Sequence, residues 1–325
     1  MSTFSTPGGL YERAQRRHRL ADGKTLFTYG FYEKHPLEAQ AFFADIHLEA
    51  ARARPAAGHR ALGALMDAGR LQRHYTLNID GLAERVGMDT WHPHTNPQGS
   101  TVEMHGSIHQ LVCAGCGGTA PAGADAVREL RARRPVRCPA CPPPPPGAAA
   151  MRFGVMLYED ADSEVITPEE VMDLLEADAK AADLILWVGI SFQQSASTAY
   201  FRHVRRWLAE AGRGAEVVQA VVNPSDEALW NLLTACSNQR ELNVLEVLGG
   251  SDEVLPRLAA RRARRPHMGA PGAGGSRGGG AGGSGAAAPA VPLAAERRAG
   301  EAGAEAGAKA DAEAEAERPS SQDSQ

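Results

Sequence analysis

Cys113, Cys116, Cys138 and Cys141 form two C-x-x-C pairs separated by a 21-residue insert. Two such hooks supply four thiolates, the donor set that closes a tetrahedral Zn²⁺ site. A zinc held by four sulfurs has no position open to water, so it holds structure and activates no nucleophile. An unmetallated thiol cluster is the alternative. Upstream lie Tyr75-Thr76-Leu77-Asn78-Ile79-Asp80 and the pair His105-Gly106. Asn78 and Asp80 carry amide and carboxylate groups suited to hydrogen-bonding a polar ligand. His105 carries an imidazole, whose ordinary pKa lies near neutral pH. Asn78 and Asp80 can also be read as caps of a turn before a helix at 82–87. His59, His74, His92, His94 and His109 read as structural histidines.

The elements that must position these groups alternate in type. Helical spacing is predicted over 36–53, with Phe42, Phe43, Ile46 and Ala50 on one face, and over 57–69 after Pro55. Arg73 to Leu77 reads as a short strand that delivers Asn78. A compact loop carries the cysteine hooks and ends at the proline run 142–146, a stiff spacer. Val155 to Tyr158 reads as a buried strand, 168–181 as a helix, and Leu184 to Gly189 as a central parallel strand. A helix at 197–211, a strand at 217–222, and helices near 226–236 and 252–262 follow. The pattern predicts an α/β fold: a Rossmann-like parallel sheet with helices on both faces and a small inserted zinc-binding module. Asn78, Gly189, Ser191 and Asn223 then fall at carboxyl ends of strands, where such sheets bind ligands.

Composition sets the domain limits. Of 325 residues, 43% are hydrophobic, enough for a core over most of the length. From about Met268 the chain is Gly, Ala, Ser, Pro and Glu, which cannot bury enough apolar surface to offset its ordering entropy. Residues 1–267 are therefore expected to fold, with the zinc module at about 108–150, and 268–325 to be a disordered tail. The net charge of −5 does not call for a nucleic-acid partner, and Arg131, Arg133, Arg134 and Arg137 read as a solvated face. Arg261 to Pro266 is either a basic helix end or a nuclear import signal. No secretory signal or membrane-spanning stretch is legible, so metal-bound thiolates are expected rather than disulfides. Cys236, alone among apolar residues, reads as a buried small hydrophobe.

Taken in order, these residues resemble the sirtuin family of NAD-dependent protein-lysine deacylases from about Phe4 to Leu258. Thr76-Leu77-Asn78-Ile79-Asp80 is similar to the family's T-Q-N-I-D, and Glu103-Met104-His105-Gly106 to its E-L-H-G. The four cysteines fall where the family binds structural zinc. Arg152 to Asp160 follows R-P-x-V-V-x-F-G-E loosely, Gly189-Ile190-Ser191 matches G-T-S, and Asn223 the I-N at the next strand end. Gly249 to Val254 resembles the terminal G-D-x-D-E-V. The resemblance implies that nicotinamide leaves C1′ of NAD as the acyl-lysine carbonyl oxygen attacks, and that His105 then acts as general base on a ribose hydroxyl. It places Asn78, Ile79 and Asp80 against the nicotinamide riboside, with Asp80 accepting the carboxamide N–H. It places Gly189, Ser191 and Asn223 on the nucleotide, and Val155 on a strand edge that pairs with the substrate peptide.

The resemblance also has gaps. Met1 to Tyr11 is similar to the family's D-F-R-S-x-G-G-L-Y, with Ser5 in place of Arg, and the G-A-G-x-S turn that precedes it is absent. That turn lets backbone N–H groups approach a pyrophosphate. The expectation is an N-terminally incomplete domain lacking its first strand. Leu77 replaces Gln and deletes a hydrogen bond to a ribose hydroxyl, and Ala196 replaces a usual Pro. The implied function is an NAD-dependent protein deacetylase acting on acyl-lysine proteins. Gly23 to Phe27 and Asn78 to Leu82 resemble the nuclear, histone-directed branch, so histones and the nucleus are the expected substrate and location, with the cytoplasm as alternative. Neither a membrane nor direct nucleic-acid contact is expected. The rival readings are a catalytically impaired zinc-binding scaffold and a zinc-ribbon nucleic-acid binder using Arg131 to Arg137.

Overall fold

Apolar spacing in the first third of the chain builds a helical layer. It comprises α1 (Leu10–His18), α2 (Tyr29–Lys34), α3 (Pro36–Arg52) and α4 (Ala57–Asp67). Pro36 opens α3, where its fixed φ suits the first helical turn and its missing N–H costs nothing. Phe42, Phe43, Ile46 and Ala50 are buried on one face of α3, as their spacing predicts. Phe27 meets Phe42 and Phe43 edge-on at 5.9 and 5.6 Å between centroids, a favourable aromatic geometry. This cluster is continuous with Ile108, Leu111, Cys113, Cys138 and Phe153, so the helical layer and the cysteine module share one core.

The computed structural model describes residues 3–4, 6–142, 151–161, 163–236 and 244–261. After α4, β1 (His74–Thr76) pairs in parallel with β2 (Thr101–Glu103). A single 3-10 turn, Glu84–Val86, stands in place of the helix expected at 82–87. Then come β3 (Gly106–Val112), β4 (Thr119–Pro121), α5 (Ala124–Arg131) and β5 (Arg152–Val155). They make an antiparallel sheet of order β4-β3-β5 rather than a loop. The chain continues as α6 (Ser163–Ile166), α7 (Glu170–Ala181), β6 (Leu184–Val188) and α8 (Ser195–Glu210). It ends in β7 (Val218–Asn223), α9 (Glu227–Ala235), β8 (Val244–Leu248) and α10 (Ser251–Ala260).

Two further strand expectations are corrected. The strand expected at 155–158 runs instead over Arg152–Val155. Beyond it Leu157 N–H donates to Asp160 Oδ2, and Tyr158 pairs with the backbone of Phe27 and Tyr29, which pulls the chain off β3. The parallel strands form two ladders, β1-β2 and β6-β7-β8, with no described strand joining them. β6, expected to be central, pairs with β7 alone among the described residues. β8 is a further strand, unassigned in the sequence pattern above, although Val244 to Leu248 is apolar apart from Glu246 and ends at Gly249-Gly250.

Helices tie the two ladders together. Asp178 of α7 accepts hydrogen bonds from Gln72, Arg73 and Tyr75 at 2.8, 2.6 and 2.7 Å, gripping the strand that delivers Asn78. α10 packs on α4, where Gly58 N–H donates to Asp252 Oδ1 at 2.7 Å, and α7 packs on α8. Prolines 143–146, residues 262–266 of the second basic run and the tail from 268 lie outside the described residues. No described helix is long and apolar enough to cross a membrane.

Candidate active site and zinc centre

Parallel pairing brings the two expected reactive groups to one strand end. The register of β1 and β2 is His74 with Thr101, Tyr75 with Val102, and Thr76 with Glu103. Met104 N–H donates to Thr76 O at 2.9 Å, extending the ladder by a step. Asn78 and His105 each lie two residues beyond the last register pair, so they leave adjacent strands at the same level. Asn78 is exposed, Ile79 is 1% exposed and anchors the segment in the core, and Asp80 is half-buried. Asp80 Oδ1 accepts Leu82 N–H at 3.2 Å, an Asx turn that sets the carboxylate's direction.

His105 is half-buried and held through its backbone, its carbonyl accepting Met156 N–H at 3.0 Å. Gly106 must be glycine: φ is +71°, and a Cβ there would run into Gly154 O and Ile166. Burial lowers the His105 pKa below the ordinary imidazole value, which keeps the ring neutral and ready to accept a proton at pH 7. His74, deeper in the same ladder, is lowered to about 4, mainly by burial. Glu103 moves the other way. Burial, with the nearby Glu84 and Asp80 carboxylates, raises it to about 8 against an opposing bond from Ser107.

The second ladder repeats the arrangement at its own strand ends. Gly189, φ +69°, donates to Val222 O at 2.9 Å. Asn223 Nδ2 donates to Ile190 O and Asn231 Nδ2 to Ser191 O, both at 3.0 Å. Asn223 thus braces the Gly189–Ser191 turn, and Ser191 is exposed at its tip. Val155 is 5% exposed and pairs with Gly106, and β5 has β3 as its only described strand neighbour. All four residues of β5 are buried, Phe153 N–H donates to Gln40 Oε1 at 2.8 Å, and Val155 O accepts from Arg152 Nη1 at 3.4 Å.

The four cysteines converge. Cys113 and Cys141 Sγ are 3.7 Å apart, Cys116 and Cys138 Sγ 3.6 Å, and all four sulfurs lie within 4.8 Å of one another. Tetrahedral Zn–S bonds of about 2.3 Å require sulfurs about 3.8 Å apart, a spacing that the 3.7 and 3.6 Å pairs meet and that the rest of the cluster approaches within about 1 Å. A tight turn, Gly117 N–H to Cys113 O and Cys113 N–H to Gly118 O, shapes the first hook. Gly117 (φ +68°) supplies the left-handed residue that turn needs.

Sequence reasoning missed four residues that hold this site: Asp178, Asn231, Arg152 and His109. Only Arg152 and Asp160 carried a signal, as opposite charges bracketing an apolar stretch. The other three act through contacts between distant elements.

An α/β protein with polar groups at parallel strand ends and a four-thiolate module belongs to the class of Rossmann-like nucleotide-type domains with structural zinc. The Sir2 family model matches residues 1–195, more than half of the chain, and the chain belongs to the Sir2 family. It is 28% identical over 211 residues to NAD-dependent protein deacetylase hst4 of Emericella nidulans, an alignment covering 58% of this chain and 34% of that protein. It is 34% identical over 119 residues to an NAD-dependent protein deacetylase of Cutibacterium acnes, covering 36% of this chain and 43% of that protein. The chain therefore spans a third to two fifths of the length of these relatives. A mutant of a Sir2 homologue solved as an ADP ribose complex shares the fold, with TM-score 0.54 and 20% identity over 80% of this chain and 84% of that one.

Proposed function

We propose that this chain is an NAD-dependent protein-lysine deacetylase, with His105 as general base. The observation that carries the reading is the shared level of Asn78 and His105 at the ends of β1 and β2. Bound NAD would supply a nicotinamide leaving group and the ribose that receives the acyl group. His105, neutral by burial, accepts the proton of a ribose hydroxyl. Asp80, its direction set by Leu82 N–H, accepts the carboxamide N–H. Asn78 holds the ribose or an ordered water. The Gly189–Ser191 turn, braced by Asn223, lies against the nucleotide. Val155, at the end of β5, pairs with the acyl-lysine peptide as an added strand, on the likeness of Arg152 to Asp160 to the family's motif. Zinc holds the module and takes no part in the chemistry.

Histones are the substrates and the nucleus the location in this proposal, on the likeness of Gly23 to Phe27 and Asn78 to Leu82 to the nuclear branch. A second reading, a zinc-binding scaffold without turnover, is favoured by Leu77, which cannot hydrogen-bond a ribose hydroxyl. Mass spectrometry of an acetylated histone-tail peptide incubated with the chain, with and without NAD, separates them. NAD-dependent loss of the acetyl group supports the enzyme. An unchanged peptide, with no heat of NAD binding by calorimetry, supports the scaffold.

A further inference from the structure

β3 runs from the His105 turn into the zinc module, and in passing it grips the Asn78–Asp80 segment twice. Ile108 N–H donates to Ile79 O at 2.9 Å. The next residue, His109, places ring Nε2 3.0 Å from Asp80 O. A carbonyl only accepts, so Nε2 carries the proton. The imidazole sits in the notch left by Gly81, where φ is +63° and a Cβ would be 2.7 Å from His109 Cδ2. His47 of α3 backs the ring edge-on, 5.0 Å between centroids, and its Nδ1 donates to Ile108 O at 3.0 Å. On its far side His109 O accepts Ala122 N–H from the zinc module at 2.8 Å.

Asp80 is thereby fixed at both ends: its carbonyl by His109 and its carboxylate by Leu82 N–H. We propose that His109 is a positioning residue for Asp80, clamping the Asn78–Asp80 segment and passing to it the rigidity of the zinc module. The inference rests on the reading of Asp80 as a nicotinamide-side group. His109 touches no reacting atom and acts through Asp80.

Amide hydrogen exchange on the full chain tests the clamp without any substrate. His109→Phe keeps the ring and removes the donor. Exchange at residues 79–82 should rise about tenfold, the scale of one lost hydrogen bond, with exchange in β6 and β7 unchanged. His109→Gln restores an N–H near the Nε2 position and should recover at least half of that protection. Gly81→Ala drives a methyl into the ring and should give the same local signature by a separate route, which keeps the test open if the Phe variant does not fold. In turnover, His109→Phe should raise KM for NAD while leaving KM for the acyl peptide unchanged. Wild-type exchange rates at 79–82 in both His109→Phe and Gly81→Ala overturn the proposal. So does equal loss in the Phe and Gln variants with protection lost throughout the chain, which marks a merely structural histidine. Failure of wild-type turnover contradicts the proposed activity instead, and leaves the exchange result to decide the clamp.

Discussion

Arg152 Nη2 donates to both carboxylate oxygens of Asp160, at 2.9 and 3.0 Å, with both side chains 1% exposed. Arg152 also lies over the rings of Tyr29 and Tyr32, 6.0 and 5.6 Å from their centroids. Asp160 accepts Leu157 N–H as well, so the pair folds residues 155–160 back on the strand that abuts His105. Breaking a buried pair strands one charge and costs about 3–5 kcal/mol. Asp160→Asn should destabilise on that scale in urea unfolding. The double change Arg152→Met with Asp160→Leu should cost clearly less, because no charge is left buried.

Asp178 links β1 to α7 through Gln72, Arg73 and Tyr75. Asp178→Ala leaves three donors without this acceptor, two of them on half-buried residues, and should cost about 2–4 kcal/mol. Thermal unfolding measures the loss. The variant should also raise the rate of amide exchange along β1.

Glu103 makes stability depend on pH. Its folded pKa of about 8 stands above the ordinary 4.5, so between these values the native state holds a proton that the unfolded chain has released. Its contribution is full below 4.5 and is lost as pH rises to 8. Glu103→Gln removes that slope and should make the variant about 2–4 kcal/mol more stable relative to wild type at pH 8 than at pH 4.5. His74 acts with the opposite sign: its folded value of about 4 against 6.5 makes stability fall as pH drops through that window.

Zinc removal should propagate beyond the module, because Cys113 and Cys138 share a core cluster with Leu111, Phe153 and Phe43. One zinc per chain is expected by atomic emission. Cys138→Ser should abolish it and lower Tm by about 10 °C or more.

Much of this was legible in the sequence, and the reasons differ by residue. The cysteine spacing required a four-thiolate site, and the sulfurs converge within 4.8 Å. The face of α3 followed from the spacing of Phe42, Phe43, Ile46 and Ala50. Strand limits were less accessible. Val155 to Tyr158 is apolar throughout, and the contacts that end β5 at Val155, Leu157 N–H to Asp160 and Tyr158 to the backbone of Phe27 and Tyr29, are made by residues outside that run. The apolar run of β6 suggested a strand flanked on both edges, a feature that hydrophobicity alone does not decide. His109 read as structural because nothing local shows that its ring meets Asp80 across the chain. Register, equally, is a property of pairing. The sequence holds Asn78 and His105, but the ladder of β1 and β2 is what places them at one level.

The central claim is that His105, beside Asn78, is the base of an NAD-dependent deacetylation. It is tested most directly by the pH profile of acetyl-peptide deacetylation for wild type and His105→Ala. Wild type should show NAD-dependent turnover whose acid limb falls below the ordinary imidazole value of 6.5, since burial lowers the His105 pKa. His105→Ala should lose about 100-fold or more, the scale of general-base catalysis. NAD-dependent turnover at the wild-type rate in His105→Ala, with the same acid limb, would contradict the claim.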